Sequence, residues 1–241
     1  DMKSGAYLAF YAFQHLVRSG QETPLPLTFL YVPEEEIGSP TSRQVIEDTA
    51  QQNKYVLVTE PAHDGLCCTA RKGVLHVDIK IYGRPAHAGS RHQDGRSALR
   101  ELAHQIVALE CLTDYERGIT VNVGLASGGS FINVVPAEAE AKVCIRAPET
   151  EQLEALREHV LALQPEDVDV KLEITAEVNR PVFPRLEGTA ELFKHAREIC
   201  RKIGFDLEER HSGGGSDGNF TAALGIPTLD GLGADGHGHH T

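Results

Sequence analysis

Val74-Leu75-His76-Val77-Asp78-Ile79-Lys80-Ile81-Tyr82 is the stretch on which the fold turns. Leu75, Val77, Ile79 and Ile81 fall on one side of an extended chain, and His76, Asp78 and Lys80 on the other. Strict alternation predicts a strand with one wet face, as in an antiparallel sheet. Working outward, Leu99, Leu102, Ala103, Ile106 and Leu109 recur at helical spacing, and residues 119–125 read as a strand. Ala137, Ala139, Ala141, Val143 and Ile145 alternate again; Leu153, Leu156, Val160 and Leu163 make a helix face; residues 168–178 form a last alternating strand. The order from 73 to 178 is β-α-β-β-α-β, the ferredoxin-like arrangement. On either side the pattern differs. Helices are expected over 3–18, with Ser4 as N-cap, and from Thr41-Ser42 to about 52, and short buried strands over 27–32 and 55–59. After Asn179-Arg180-Pro181 come a helix striped by Leu192, Ala196, Ile199 and Ile203, a strand at 205–209, the loop Gly213–Gly218, a helix at 219–224 and a strand at 227–229. Such αβ alternation predicts a mostly parallel sheet covered by helices. The expected fold is α/β: a mixed, mostly parallel sheet built from residues 1–70 and 180–241, interrupted by an inserted ferredoxin-like α+β unit over 71–179.

The chain has 241 residues, 41% hydrophobic and 24% charged, an ordinary composition for burying a core. Asp plus Glu number 35 against 23 Lys plus Arg, and the resulting charge of −12 argues against a nucleic acid or an anionic membrane as partner. No apolar run approaches the roughly 20 residues of a membrane span, and the start carries no signal-peptide pattern. Five scattered cysteines, with no CxxC pair, argue against a disulfide framework and a thiolate zinc site, and for a reducing, cytoplasmic compartment. The chain opens at Asp1 rather than Met and closes on a His/Gly run, so it reads as a piece of a longer protein.

Polar clusters sit at predicted strand ends or chain ends: Asp1, Glu34-Glu35-Glu36, Glu60 and His237/His239/His240. Open α/β sheets place their ligands at strand ends. Carboxylates and imidazoles suit zinc or another first-row divalent ion. A tandem Glu-Glu offers one carboxylate to a metal and leaves its neighbour as proton acceptor. A Glu triplet alone is also what a solvated turn looks like, and the His run alone is also what a flexible tail looks like. Glu60 shifts the balance, because a carboxylate leaving a buried strand needs a partner.

Seven motifs then occur in one order: Asp1-Met2-Lys3-Ser4-Gly5, Glu34-Glu35-Glu36-Ile37-Gly38-Ser39, Thr59-Glu60-Pro61, Gly83-Arg84-Pro85-Ala86-His87-Ala88-Gly89, Asn133-Val134-Val135-Pro136, Gly213-Gly214-Gly215-Ser216-Asp217 and Gly238-His239-His240-Thr241. In this the chain resembles, along its whole length, the M20 family of co-catalytic zinc metallopeptidases, in particular its glutamate carboxypeptidase branch. The resemblance implies two zinc ions. Asp1 would bridge them, Glu36 and His240 would complete one site, and Glu60 would belong to the other. It implies Glu35 as general base, and His87 reaching from the insert into a partner subunit to hold the developing oxyanion. Asn133, Arg146 and Arg180 would grip a substrate carboxylate, with the backbone of Gly213, Gly214 and Gly215 beside them. Two ions about 3.5–4 Å apart would share and acidify a water, and Glu35 would move its proton to the leaving amine. The planar guanidinium of Arg146 suits a carboxylate because it donates two parallel hydrogen bonds.

The family carries a further ligand His upstream of the bridging Asp, and this chain begins after that point, so the second metal site is expected to be incomplete here. The expected function is an amide hydrolase, releasing C-terminal glutamate or a similar residue from a small peptide, and working as a homodimer through the insert. An N-acyl amino-acid deacylase of the acetylornithine deacetylase or succinyl-diaminopimelate desuccinylase type is the alternative within the fold, and a non-catalytic dimeric fragment the alternative outside it.

Overall fold

The computed structural model of the chain describes residues 3–236. In chain order its elements are α1 (Lys3–Arg18), α2 (Arg43–Gln51), β1 (Val56–Leu57), β2 (Leu66–Arg71), β3 (Gly73–Tyr82), α3 (Ala98–Glu110) and β4 (Thr120–Gly128). There follow β5 (Glu138–Ala147), α4 (Thr150–Leu161), β6 (Lys171–Arg180), α5 (Glu187–Lys202), β7 (Glu208–Ser212), α6 (Gly218–Ala223) and β8 (Thr228–Leu229). They fall into two compact units, Gly73–Asn179 and a base made from the segments on either side of it.

The inserted unit is a four-stranded sheet in the order β4-β5-β3-β6. β5 pairs antiparallel with β3, from Gly73 opposite Ala147 to Tyr82 opposite Glu138, and antiparallel with β4 on its other side. Leu75, Val77, Ile79 and Ile81 are at most 1% exposed, while His76, Asp78 and Lys80 face solvent, as the alternation predicts. α3 and α4 cover the apolar face through Leu102, Leu109, Leu153 and Val160. Each such side chain contributes about 1.5–3 kcal/mol by leaving water. Ala139, Ala141 and Ala147 on β5 keep that face shallow enough for the helices to approach. Ser97 begins α3 by accepting a hydrogen bond from Arg100 N at 3.2 Å. β4 is one edge of the sheet, kinked by a bulge between Val123 and Leu125.

In the base, β1 pairs with β8 and β2 with β7, both parallel, and Cys68 bridges Asp230 antiparallel. α5 lays Phe193 with Leu192, Ala196 and Cys200 against Cys67, Leu207 and Leu229. Burial pushes the Cys67 thiol up to about 12, so it is an inert apolar group.

Three expectations are corrected. Residues 27–32 are not a strand: among the described residues no strand pairs with them, and Leu27, Phe29, Leu30 and Tyr31 are 42–62% exposed. An apolar run signals burial, but only a hydrogen-bonding neighbour makes it a strand. The strand expected at 205–209 lies at Glu208–Ser212. β2 is additional, with Cys67, Cys68 and Thr69 buried in succession. Among the described residues no helix is long and apolar enough to cross a membrane.

Candidate active site

Parallel pairing of β1 with β8 sends both chains out at the same end of the sheet. Glu60 follows β1, and Asp230 follows β8 directly. α1 lies against the chain just ahead of Glu60: a Cβ at Gly5 would stand 2.0 Å from Thr59 O, so only glycine permits the approach.

The three glutamates at 34–36 have three different surroundings. Glu34 accepts from Thr41 N at 2.9 Å, from Thr41 Oγ1 at 2.8 Å and from Ser42 Oγ at 3.3 Å. The Thr41 bonds, the backbone one foremost, hold its carboxyl below the usual range and fix the turn. Residues 35–37 form one 3-10 turn, closed by Gly38 at φ 94°. Glu35 points to Arg180, whose Nη2 donates to Glu35 O at 2.8 Å and to Glu35 Oε1 at 3.1 Å. Glu36 is exposed. Burial raises the Glu35 pKa; Arg180 pulls it back, and the charges of Asp217 and Glu36 push it further up.

Glu60 is pushed up to about 8, by burial first and then by the negative charges of Glu35 and Asp230, with Arg71 opposing and Asp217 adding. Both arginines are committed to other carboxylates. Arg71 Nε lies 2.7 Å from Asp230 Oδ2, and Arg180 Nη1 lies 2.8 Å from Asp217 Oδ1 as an ion pair. Arg71 also donates to Ser212 Oγ and Gly214 O, holding the glycine loop. Asn219 ties that loop down, accepting from Ser216 N and donating to Lys72 O and Pro181 O.

This surplus of carboxylate around Glu60 fits a cation as guest, and the oxygen donors are of the kind first-row divalent ions accept. Among the described residues no group of three or more His, Cys, Asp or Glu side chains is arranged to hold a metal ion. Asp1 and His240 lie outside the described residues, so of the expected ligands the structure places Glu36 and Glu60.

Protonation of Glu60 gives the metal-free protein a defined pH response. Between about 4.5 and about 8 the unfolded chain carries Glu60 ionised while the folded chain keeps it protonated. The unfolded state then binds fewer protons, so stability falls as pH rises through that window. Urea melts of chelated protein at about pH 5 and about pH 8.5 should show the loss, and Glu60→Gln should reduce it. An unchanged slope in the variant would assign the loss to other groups.

In the insert, the loops at 84–90 and 131–136 pair: His87 bridges Val134, and Ala88 N donates to Asn133 O at 2.9 Å. His87 Nδ1 accepts from Gly89 N at 3.1 Å and from Ser90 N at 3.3 Å. In neutral His87 the proton therefore sits on Nε2, at the exposed end of the ring. Arg146 lies on β5 between Val74 and Thr120, on the face away from the helices. Eight strand steps separate Glu138, near Asn133, from Arg146, about 26 Å at roughly 3.3 Å each.

Arg146 lies near the far end of β5 from the loop that carries Asn133, and Arg180 is 3% exposed with its guanidinium engaged on Glu35 and Asp217. Sequence reading missed Arg71, Ser39, Asp217 and Asp230. The signal for Asp217 and Asp230 was a carboxylate directly before a helix or after a short apolar strand.

Residues 69–166 match the M20 peptidase dimerisation domain. It is 29% identical to carboxypeptidase G2 of Pseudomonas sp. (strain RS-16) over 248 aligned residues, which take in all of this chain and 59% of that protein. It is 34% identical over 88 residues to a p-aminobenzoyl-glutamate hydrolase homolog of Haemophilus influenzae, 36% of this chain and 21% of that one. Among solved structures it superposes on aminopeptidase PepT from Bacillus cereus with a TM-score of 0.74 at 24% identity, over 100% of this chain and 64% of that one. On an M20 family metallo-carboxypeptidase from Sulfolobus solfataricus the TM-score is 0.69 at 18% identity, over 96% and 68%. The chain therefore spans about six-tenths of the length of carboxypeptidase G2.

Proposed function

We propose that this chain is the greater part of a zinc-dependent amide hydrolase that releases C-terminal glutamate, or a similar amino acid, from a small carboxylate-bearing substrate. The observation that carries the reading is the electrostatically coupled set of half-buried Glu35, Glu60 and Asp217 with buried Asp230, in a chain related along its whole length to carboxypeptidase G2. The aminobenzoyl-glutamate hydrolase likeness points to the same kind of leaving group.

Asp1, Glu36, Glu60 and His240 would hold two zinc ions. When bound, the metal would polarise the amide carbonyl and lower the pKa of water. Glu35, whose pKa burial raises, would accept a proton and return it to the leaving amine. Nε2–H of His87 is the donor for the oxyanion, and the guanidinium of Arg146 takes the substrate's carboxylate. Two copies joined through the insert would let His87 and Asn133 of one serve the other. β4 offers an edge for that joining; Leu125 on β4 and Leu99 and Val107 on α3 are exposed apolar residues, 64%, 38% and 64% exposed.

The test is a substrate panel on the zinc-loaded protein carrying its full reading frame. C-terminal glutamyl amides, including aminobenzoyl-glutamate, should be cleaved in preference to N-acetylornithine; the reverse order would make the protein a deacylase. Arg146→Ala should raise KM for carboxylate-bearing substrates by about 10–100-fold, the worth of a charged hydrogen bond, with kcat less affected.

A further inference from the structure

From the geometry around Arg180 we infer that it is a positioning residue for Glu35, not a ligand of substrate; the inference rests on the reading of Glu35 as general base. A single nitrogen, Nη2, donates to the Glu35 backbone oxygen at 2.8 Å and to its carboxylate at 3.1 Å, fixing main chain and side chain together. Nη1 is held at 2.8 Å by Asp217, and Asp217 in turn accepts from Ser39 Oγ at 2.7 Å. Ser39 is fully buried at φ 51°, a conformation non-glycine residues rarely adopt. The guanidinium carbon stands 4.7 Å from the centroid of the buried Phe220 ring, and Arg43 occupies the same ring at 4.9 Å.

Arg180 is thus constrained by two carboxylates, one carbonyl and one ring, and only 3% of it is exposed. A residue that grips substrate has to be reachable; this one is walled in. A planar fork is needed to span Glu35 and Asp217 at once, which a lysine ammonium cannot do. The consequence for chemistry is orientation. Glu35 sits in a short turn beside exposed Glu36, and without the Arg180 bonds its carboxylate would be free to turn toward solvent. A base displaced by about 1 Å costs on the order of 100-fold in rate.

The experiment uses zinc-loaded, full-length protein and two substrates, a glutamyl amide and its analogue with the free carboxylate capped as a carboxamide. Arg180→Lys should lower kcat by about 10–100-fold on both, with KM within about twofold and metal content unchanged. In a Glu35→Gln background the same change should alter residual turnover by less than about twofold, because the two residues act as one unit. A KM increase confined to the carboxylate-bearing substrate would return Arg180 to the substrate site. An equal factor in both backgrounds would show action independent of Glu35. Either result overturns the inference while leaving the proposed function standing. Wild-type protein inactive on every such amide removes the function and the inference with it. Should Arg180→Lys lose its melting transition, Asp217→Asn, which leaves Arg180 in place, runs through the same cycle.

Discussion

Glu35→Gln, assayed in zinc-loaded protein, is expected to lower kcat by about 10²–10⁴-fold while KM and metal content stay near their starting values. Gln keeps the size of Glu and can still accept the Arg180 hydrogen bond, so the turn at 35–37 should hold its shape. What it lacks is a site that can take up a proton. Glu36→Ala is expected to behave in the opposite way, losing metal in equilibrium dialysis. These neighbours differ in surroundings: Glu35 is partly buried against Arg180, and Glu36 is exposed. If Glu35→Gln loses metal and Glu36→Ala keeps it, the two roles are exchanged.

Asp230→Ala is expected to destabilise the base by about 3–5 kcal/mol, the usual consequence of stranding one member of a buried ion pair. Asp230 is fully buried and takes the Arg71 guanidinium, the Ser216 hydroxyl and the Gly231 amide. Removing it leaves Arg71, 8% exposed, with neutral partners at Ser212 and Gly214. For a chain of this size the melting temperature should fall by about 6–20 °C. Replacing both members, as Arg71→Met with Asp230→Leu, should cost less than Asp230→Ala alone. A loss below about 1 kcal/mol in urea melts of Asp230→Ala would mean that water or a rearranged partner reaches Arg71.

The insert was legible because its strands have one wet face, and alternation is the mark of that condition. β2 was not, since Cys67, Cys68 and Thr69 are all buried and a strand covered on both sides has no period to read. The run at 27–32 misled for the complementary reason: Leu27, Phe29 and Leu30 have strand-like composition without a paired neighbour among the described residues. At the candidate site, Glu35, Glu36 and Glu60 were proposed from local motifs. Their electrostatic partners were not. Arg180 meets Glu35 across 145 residues of sequence, and Arg71 meets Asp230 across 159. Nothing near Arg180 in the chain distinguishes a walled-in guanidinium from one that greets substrate. Asp1 and His240, expected as metal ligands from the family resemblance, lie outside the described residues.

One amide ties together the two places where the chain leaves the base and comes back. Asn219 Nδ2 reaches Lys72 O at 3.1 Å and Pro181 O at 2.7 Å, and Arg71 and Phe183 exchange two backbone hydrogen bonds of 3.0 Å. The exit and the return are therefore fastened to each other within the host, in addition to the pairing of the guest's own β3 and β6. A gene could lose that guest, or trade it for another of any length, by joining the two stubs with a tight turn. A joint at this seam would leave Glu35, Glu60 and Asp230 in the host untouched.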